Sequence, residues 1–210
     1  FTDCEYLNDY SENMNIIKIA NKVLEEMKEK INNYSKICTD ISSTITKEYT
    51  DAHIYKIEPN KGLKGMRYIK TRSYVFCSSM DRDALNMWNY YTKNGNCEGY
   101  NIGFSSKQLI DKIANSLDKG SRIFYGSVIY DDKIKRRFCE KIIEEVDNEL
   151  TKLSLQSHIS ADELDLKEQE IRGKIIDSME IARLFFKDNA FSREVEFRII
   201  LKLEYGEENC

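Results

Sequence analysis

Two glutamates and an arginine alternate near the end of the chain, in the segment Glu194-Val195-Glu196-Phe197-Arg198. The surrounding β-branched and aromatic residues predict a strand over 191–203. Alternate side chains of a strand share a face, so Glu194, Glu196 and Arg198 are expected on one side of a sheet. Two carboxylates beside a guanidinium can perform electrostatic or acid–base catalysis. The pattern is equally typical of a polar strand face that meets water, with Arg198 pairing a glutamate.

Two further groups could hold a ligand. A buried strand, Tyr74-Val75-Phe76-Cys77, runs out into Ser78 and Ser79. Their hydroxyl and backbone N–H groups could either bind a ligand or cap the following helix. That helix is expected to carry Trp88 and Tyr91 on one face. The two rings would either stack on a ligand or anchor the hydrophobic core.

Other common catalytic and metal-binding patterns are missing from the sequence. It contains no G-x-S-x-G, G-x-x-x-x-G-K-[ST] or G-x-G-x-x-G motif. Its six cysteines include no C-x-x-C pair, and its two histidines, His53 and His158, lie far apart. This spacing predicts reduced thiols rather than a zinc site, and no metal is expected.

The charged residues of the chain are unevenly distributed, and one segment is strongly basic. The net charge of −4 argues against a general nucleic-acid coat protein. Between Lys56 and Arg72, however, lysines and arginines stand against a single acidic residue, Glu58. This basic cluster is either a solvated loop or an edge that faces phosphate or nucleic acid.

Hydrophobic periodicity divides the chain into helices and strands. Helices are expected over 12–34, weakly over 38–49, between Asp81 and Asn94, after Ser105, and over 132–155 and 161–186. Strands are expected over 74–77, 99–104, 122–130 and 191–203. The elements predict an α+β fold with a mixed, mainly antiparallel (split) sheet flanked by helices. The two long helices are expected to form an inserted hairpin over 132–186 within a single domain spanning 1–210.

The sequence also leads to expectations about the cellular compartment of the protein and about whether the chain is complete. No segment approaches the roughly 20 apolar residues that a membrane span needs. No signal peptide is visible either, so a soluble, cytoplasmic protein is expected. The chain begins with Phe1 rather than Met, and we expect it to be N-terminally incomplete.

Several segments occur in an order that is known from a protein family. They are Tyr74–Ser79, Met87-Trp88-Asn89-Tyr90-Tyr91, Gly99–Phe104, Lys187 and the Glu194-x-Glu196-x-Arg198 strand. This order resembles a large bacterial and phage-associated family, domain-of-unknown-function family 2971. Its pattern is a C-[FS]-S strand end, an M-W-x-x-Y helix, a G-[IVL]-G-F-like strand and a closing E-x-E-x-R strand. The opening Leu7–Glu12 is similar to its N-D-x-x-E element.

The layout of that family is similar to ADP-ribosyltransferases. The resemblance implies NAD-dependent ADP-ribosyl transfer or NAD cleavage in a bacterial toxin or phage-defence setting. It also implies that Glu196 binds the ribose hydroxyl and stabilises the oxocarbenium-like transition state as nicotinamide leaves. Glu194 would orient or deprotonate the acceptor, a protein or nucleic acid. The residues expected to contact NAD are Ser78, Ser79, Trp88, Tyr91 and Arg198, although Arg198 has no counterpart in the transferase motif.

Two other functions fit the same residues. A non-enzymatic module would bind a protein or nucleic acid through the acidic strand and the basic cluster. A magnesium-dependent nuclease would use Glu194 and Glu196 with a third carboxylate, Asp9 or Glu12. Geometry separates the three. A transferase needs the serine strand end, Trp88 and Glu196 in one cleft. A nuclease needs three carboxylates around one metal ion. A binding module needs glutamates that are exposed on the surface.

Overall fold

In a computed structural model the chain forms the α+β fold that the sequence predicts. The structure describes residues 1–4, 10–46, 52–57, 66–92 and 99–205, with side chains over 1–4, 16–42, 71–92 and 99–204. The strands are β1 (Thr2–Asp3), β2 (Ala52–Ile57), β3 (Met66–Ser79), β4 (Arg122–Ser127) and β5 (Glu196–Tyr205). The helices are α1 (Tyr10–Glu26), α2 (Tyr34–Thr46), α3 (Leu85–Tyr91), α4 (Ser106–Ala114), α5 (Asp132–Ser154) and α6 (Ala161–Arg183). Short 3₁₀ helices span Lys28–Lys30 and Asn189–Glu194.

Backbone contacts divide the chain into two compact units that are interleaved in the sequence. The sheet unit comprises Phe1–Leu7, Asp51–Val128 and Asp188–Cys210. The helical unit comprises Asn8–Thr50 and Ile129–Lys187. The expectation of one single domain over 1–210 stays a prediction.

β3 is the central strand of the sheet unit. The strand order is β1-β3-β5-β4, and β2 also pairs with β3. Every pairing between these described strands is antiparallel, which confirms the expected strand direction. The register of β3 with β5 runs from Lys70 opposite Tyr205 to Ser79 opposite Glu196. The end of β3 therefore lies beside the start of β5.

The register assigns the residues of β5 to two faces, because directly paired residues of antiparallel strands share a face. The first face carries Phe197 with its partners Ser78 and Ser127, followed by Ile199. The second face carries Glu196, Arg198, Ile200 and Lys202, and all four of these side chains are buried. The charged face of β5 is thus inside the protein and does not meet water.

Four amphipathic helices, α1, α2, α5 and α6, form the core of the helical unit. Apolar side chains at helical spacing pack together there, including Ile16, Ala20, Leu24, Ile37, Ile143, Ile175 and Met179. The two long helices pack on each other, as expected for a hairpin, and they also pack on α1 and α2. Within the described part of the chain, no helix is both long enough and apolar enough to cross a membrane.

Two thiols of the helical unit, Cys38 and Cys139, form no disulfide. Burial raises the pKa of the Cys139 thiol to about 12. The thiol therefore stays protonated at neutral pH and acts as a small apolar side chain in the core.

Several predicted elements differ from the observed structure. The strand predicted over 74–77 is part of the longer β3, and the helix predicted over 12–34 ends at Glu26. The segment 99–104 forms no regular secondary structure. The last strand begins at Glu196 rather than at Phe191, because Val195 adopts left-handed backbone angles (φ 44°, ψ 51°) that interrupt the extended chain. The residues before it form a 3₁₀ helix instead.

The buried carboxylate of Asp147, on α5, holds the chain just before α2. It accepts hydrogen bonds from the backbone N–H groups of Asn32 and Asn33 at 3.3 and 2.8 Å, and from Asn33 Nδ2 at 2.9 Å. Asp147→Ala would remove the acceptor of both backbone N–H groups, whereas Asn33 Nδ2 would keep its contact with Thr151 Oγ1 at 3.2 Å. We therefore expect the free energy of unfolding to fall by about 2–3 kcal/mol in a denaturant titration.

The matched control is Asn148→Ala, which changes the exposed neighbour on the same helix. Alanine favours helix formation slightly over asparagine, so this control should leave stability almost unchanged. Equal stability of the two variants would show that Asp147 does not secure α2.

Candidate functional site

A cleft of about 1180 Å³ opens in the sheet unit at the end of β3. Its walls are the end of β3 with the turn that follows, helix α3, and the segment 99–106. Aromatic side chains from all three walls line it: Phe76, Trp88, Tyr91, Tyr100 and Phe104. We call this site the aromatic cleft. Three neighbouring segments of the chain thus form one ligand-sized site.

The indole ring of Trp88 is held in one orientation. Its Nε1–H donates a hydrogen bond to Asp83 Oδ1 at 2.7 Å. Asp83 lies in the turn between β3 and α3, and its backbone N–H donates to Asp81 Oδ1 at 3.2 Å. Gly99 leaves room for the ring, since a Cβ at that position would lie 3.3 Å from Trp88 Cζ3. Trp88 is therefore a fixed wall of the aromatic cleft.

Apolar side chains around the cleft are unusually exposed. The exposed fraction is 70% for Tyr91, 98% for Tyr100 and 79% for Ile102. Leu85, the first residue of α3, is 74% exposed. Clustered exposed apolar surface of this kind marks a binding site more often than a passive surface. Tyr91 is therefore not an anchor of the core, and its ligand-stacking role stays a prediction.

The aromatic cleft carries little charge. Among its described lining residues the charged ones are Asp81 and Arg82, both exposed. The side chain of Asn101 donates a hydrogen bond to the backbone carbonyl of Arg82 and so ties the segment 99–106 to the turn after β3. Because the two charges are of opposite sign, they give the cleft little preference for a charged ligand. The aromatic side chains therefore determine what it suits, which is a ligand that binds mainly through flat rings.

Both predicted serines line the aromatic cleft. The Ser78 hydroxyl donates to the carbonyl of Phe197 at 3.2 Å. The Ser79 hydroxyl donates to the carbonyl of Glu194 at 2.8 Å and accepts from the N–H of Asp81 at 3.1 Å. These hydroxyls fix the end of β3 to the start of β5.

Glu196 and Arg198 form a buried ion pair outside the aromatic cleft. Arg198 Nε lies 2.8 Å from Glu196 Oε1, and Arg198 Nη2 lies 3.1 Å from Glu196 Oε2. In the register, Ser79 lies opposite Glu196 and Cys77 lies opposite Arg198, so the ion pair shares the second face of the sheet with two residues that line the cleft. The structure therefore brings Ser78, Ser79, Trp88 and Tyr91 together in the cleft, while Glu194, Glu196 and Arg198 do not line it.

The sequence predicts Glu194 on the last strand, but Glu194 lies before that strand begins. It ends the 3₁₀ helix Asn189–Glu194, and the left-handed Val195 separates it from β5. Alternation along a strand therefore does not relate Glu194 to Glu196. Both carboxylates are buried, which differs from the exposed acidic face expected of the binding-module reading. Their catalytic roles stay predictions.

The nuclease reading needs three carboxylates around one ion. Among the residues that the structure describes, no group of three histidine, cysteine or acidic residues could hold a metal ion. The proposed third ligands, Asp9 and Glu12, lie outside the described side chains. So does the basic cluster, apart from Arg72, which pairs with Asp3 at 2.7 Å.

Several residues of the cleft were missed by the sequence reasoning. The sequence predicts Tyr100 and Phe104 on a strand, because an aromatic-rich segment without charge resembles one. Gly99 and Gly103, which flank this segment, were the available signal for an irregular backbone. The hydrogen bond between Asp83 and Trp88 could not be predicted from the sequence, because it depends on how the turn between β3 and α3 folds.

Comparison with known proteins places the chain in a family. No curated protein and no solved structure matches the sequence significantly. One family model matches residues 87–199, which is more than half of the 210-residue chain. The match begins within α3, includes the segment 99–106 and ends within β5 after the Glu196–Arg198 pair. The chain therefore belongs to the family described as "Protein of unknown function (DUF2971)".

Proposed function

We propose that this protein binds a nucleotide in the aromatic cleft, with the base stacked on Trp88. The observation that supports this most is the fixed indole of Trp88, held by Asp83 at 2.7 Å and flanked by the exposed rings of Tyr91 and Tyr100. A nucleobase is the commonest flat ring in a cell's small molecules, and stacking on an aromatic side chain is its usual mode of binding.

Size and charge narrow the ligand. Typical small-molecule sites have volumes of roughly 300–1,000 Å³, and the cleft, at about 1180 Å³, has room for a dinucleotide. NAD is the dinucleotide that the sequence resemblance implies. A long nucleic-acid strand needs several cations along its path, but the described lining carries one, Arg82. These features favour a small nucleotide over a polymer.

A narrower proposal adds chemistry: ADP-ribosyl transfer or NAD cleavage, in a cytoplasmic toxin or phage-defence setting with a macromolecular acceptor. Loss of nicotinamide leaves positive charge on the ribose, which a nearby carboxylate stabilises. Glu196 was expected to supply it, yet it is paired with Arg198 and does not line the cleft. Among the described lining residues, the carboxylate is that of Asp81. Nicotinamide release by the parent protein, Glu196→Gln and Asp81→Asn tests which residue, if either, is catalytic.

Isothermal titration calorimetry tests the binding proposal directly. The ligand series is NAD, ADP-ribose, AMP and ribose 5-phosphate, with a single-stranded oligonucleotide as the polymeric comparison. We expect the three ligands that contain a base to bind and ribose 5-phosphate to bind far more weakly. Preference for the oligonucleotide would favour the nucleic-acid-binding alternative, and binding of none of them would refute the proposal.

The control variant is Tyr125→Ala. Tyr125 is an aromatic residue on β4 that is 57% exposed but does not line the cleft. It should leave the affinity for every ligand unchanged. A comparable loss in this variant would point to binding elsewhere on the sheet unit.

A further inference from the structure

We infer that the turn Arg193–Val195 is a positioning element that sets the geometry of the aromatic cleft. The inference rests on the proposed function, because the cleft is the site whose affinity the turn controls. The turn contains the first part of the Glu194-x-Glu196 motif. The inference therefore gives that motif a positioning role, which does not require contact with the ligand.

Three consecutive carbonyl groups of the turn bind the walls of the cleft. The carbonyl of Arg193 accepts a hydrogen bond from Asn86 Nδ2, on α3, at 2.9 Å. The carbonyl of Glu194 accepts from the Ser79 hydroxyl, at the end of β3, at 2.8 Å. The carbonyl of Val195 accepts from the N–H of Met80 at 2.9 Å. Two of the three walls are thereby fixed to one short segment.

The backbone of this segment is strained. Val195 has φ 44° and ψ 51°, the left-handed region, which is unfavourable for a β-branched residue. Such a conformation persists only where surrounding contacts impose it. The N–H of Val195 donates to the carbonyl of Ser192 at 3.3 Å, and its carbonyl is held by Met80. The strained angles are what direct three successive carbonyls toward the cleft walls.

The base of the turn is anchored to the sheet. Glu194 is buried, and Glu196 is both buried and paired with Arg198. The carbonyl of Glu196 accepts a hydrogen bond from the N–H of Val128, next to β4, at 2.9 Å. These contacts prevent the turn from shifting with its partners. The position of α3 relative to β3 is therefore set from a fixed point.

Asn86 connects the turn to the proposed base-stacking residue. It lies on α3 two residues before Trp88, so its bond to the Arg193 carbonyl fixes the helix that carries the indole. Losing the bond would let α3 move away from β3 and widen the cleft. The affinity for a nucleotide depends on that width, because stacking requires close contact with the ring.

The test compares Asn86→Ala with Asn89→Ala. Both changes place alanine on α3 and favour the helix equally, but Asn89 is exposed and has no side-chain hydrogen bond in the described structure. We expect Asn86→Ala to weaken AMP binding about five- to tenfold, the usual effect of one lost hydrogen bond, and Asn89→Ala to have no effect. Equal affinities for the two variants would overturn the inference.

Ser79 provides an independent second test with a conservative rescue. Ser79→Ala removes the hydroxyl that binds the Glu194 carbonyl, and the affinity for AMP should fall by a similar factor. Ser79→Thr keeps the hydroxyl and should restore the affinity. If Ser79→Ala binds AMP as tightly as the parent, or if Ser79→Thr binds as weakly as Ser79→Ala, the inference is contradicted.

A measurement without ligand separates this inference from the proposed function. Acrylamide quenching reports how accessible Trp88 is, and it should increase in Asn86→Ala but not in Asn89→Ala. If the parent protein binds no nucleotide, the proposed function fails, and this quenching result alone decides the inference. If the parent binds AMP but the quenching and affinity of Asn86→Ala match those of the parent, the inference fails and the proposed function stands.

Discussion

Trp88→Ala is expected to weaken nucleotide binding about ten- to a hundredfold. Stacking of a base on an aromatic side chain contributes roughly 1–3 kcal/mol, and each 1.4 kcal/mol corresponds to a factor of ten in affinity. The ring is already oriented by Asp83 before the ligand arrives. Little rotational freedom is therefore lost on binding, and most of the stacking energy should appear as affinity. Calorimetric titration of the variant with AMP and NAD measures the loss.

Two controls show whether the loss comes from stacking. Trp88→Phe keeps a flat ring and should retain a larger part of the affinity than Trp88→Ala. Asp83→Asn keeps an oxygen that can accept from Nε1–H, whereas Asp83→Ala does not, so the alanine variant should bind more weakly. If Trp88→Ala binds AMP as tightly as the parent, the base does not stack on this ring.

Arg198→Ala is expected to lower the free energy of unfolding by about 3–5 kcal/mol. The guanidinium pairs with both carboxylate oxygens of Glu196, and both side chains are almost completely buried. Removing Arg198 takes this two-bond ion pair away from a buried carboxylate, which costs far more than losing an exposed ion pair. Thermal or denaturant unfolding measures the effect, and the melting temperature should fall by roughly 10 °C or more.

The double variant Arg198→Ala, Glu196→Ala identifies the source of this loss. Removing both members of the ion pair leaves neither charge buried, so the double variant should recover part of the stability that Arg198→Ala loses. A double variant less stable than Arg198→Ala by the full cost of a second substitution would show that the two residues do not act as a pair. An unfolding transition of Arg198→Ala at the parent's temperature would show that the pair is not essential to the sheet.

Much of the fold follows from local patterns. The long apolar periodicities of α5 and α6 gave boundaries close to the observed ones, because one side of each helix is buried. β4 starts at Arg122 as predicted but ends at Ser127, and none of its residues is fully buried. The strand prediction for the segment 99–104 was wrong for the opposite reason. Its apolar residues line an open cleft and are exposed, so their pattern does not report burial on a sheet.

The site was only half predictable from sequence. Ser78, Ser79, Trp88 and Tyr91 were identified as a group and do lie together. The alternation rule that placed Glu194 beside Glu196 assumes an unbroken strand, and the left-handed Val195 breaks it. Nothing in a valine signals that conformation, since its cause is a set of hydrogen bonds from Ser79 and Met80, more than a hundred positions earlier in the chain.

The most direct test of nucleotide binding in the cleft is the fluorescence of Trp88, the single tryptophan of the chain. A base that stacks on the indole should quench its emission, so titration with AMP or NAD should give a saturable decrease. Ribose 5-phosphate, which lacks the base, should leave the emission unchanged. Binding of AMP by calorimetry with no change in Trp88 fluorescence, or equal quenching by ribose 5-phosphate, would contradict stacking on Trp88 in the aromatic cleft.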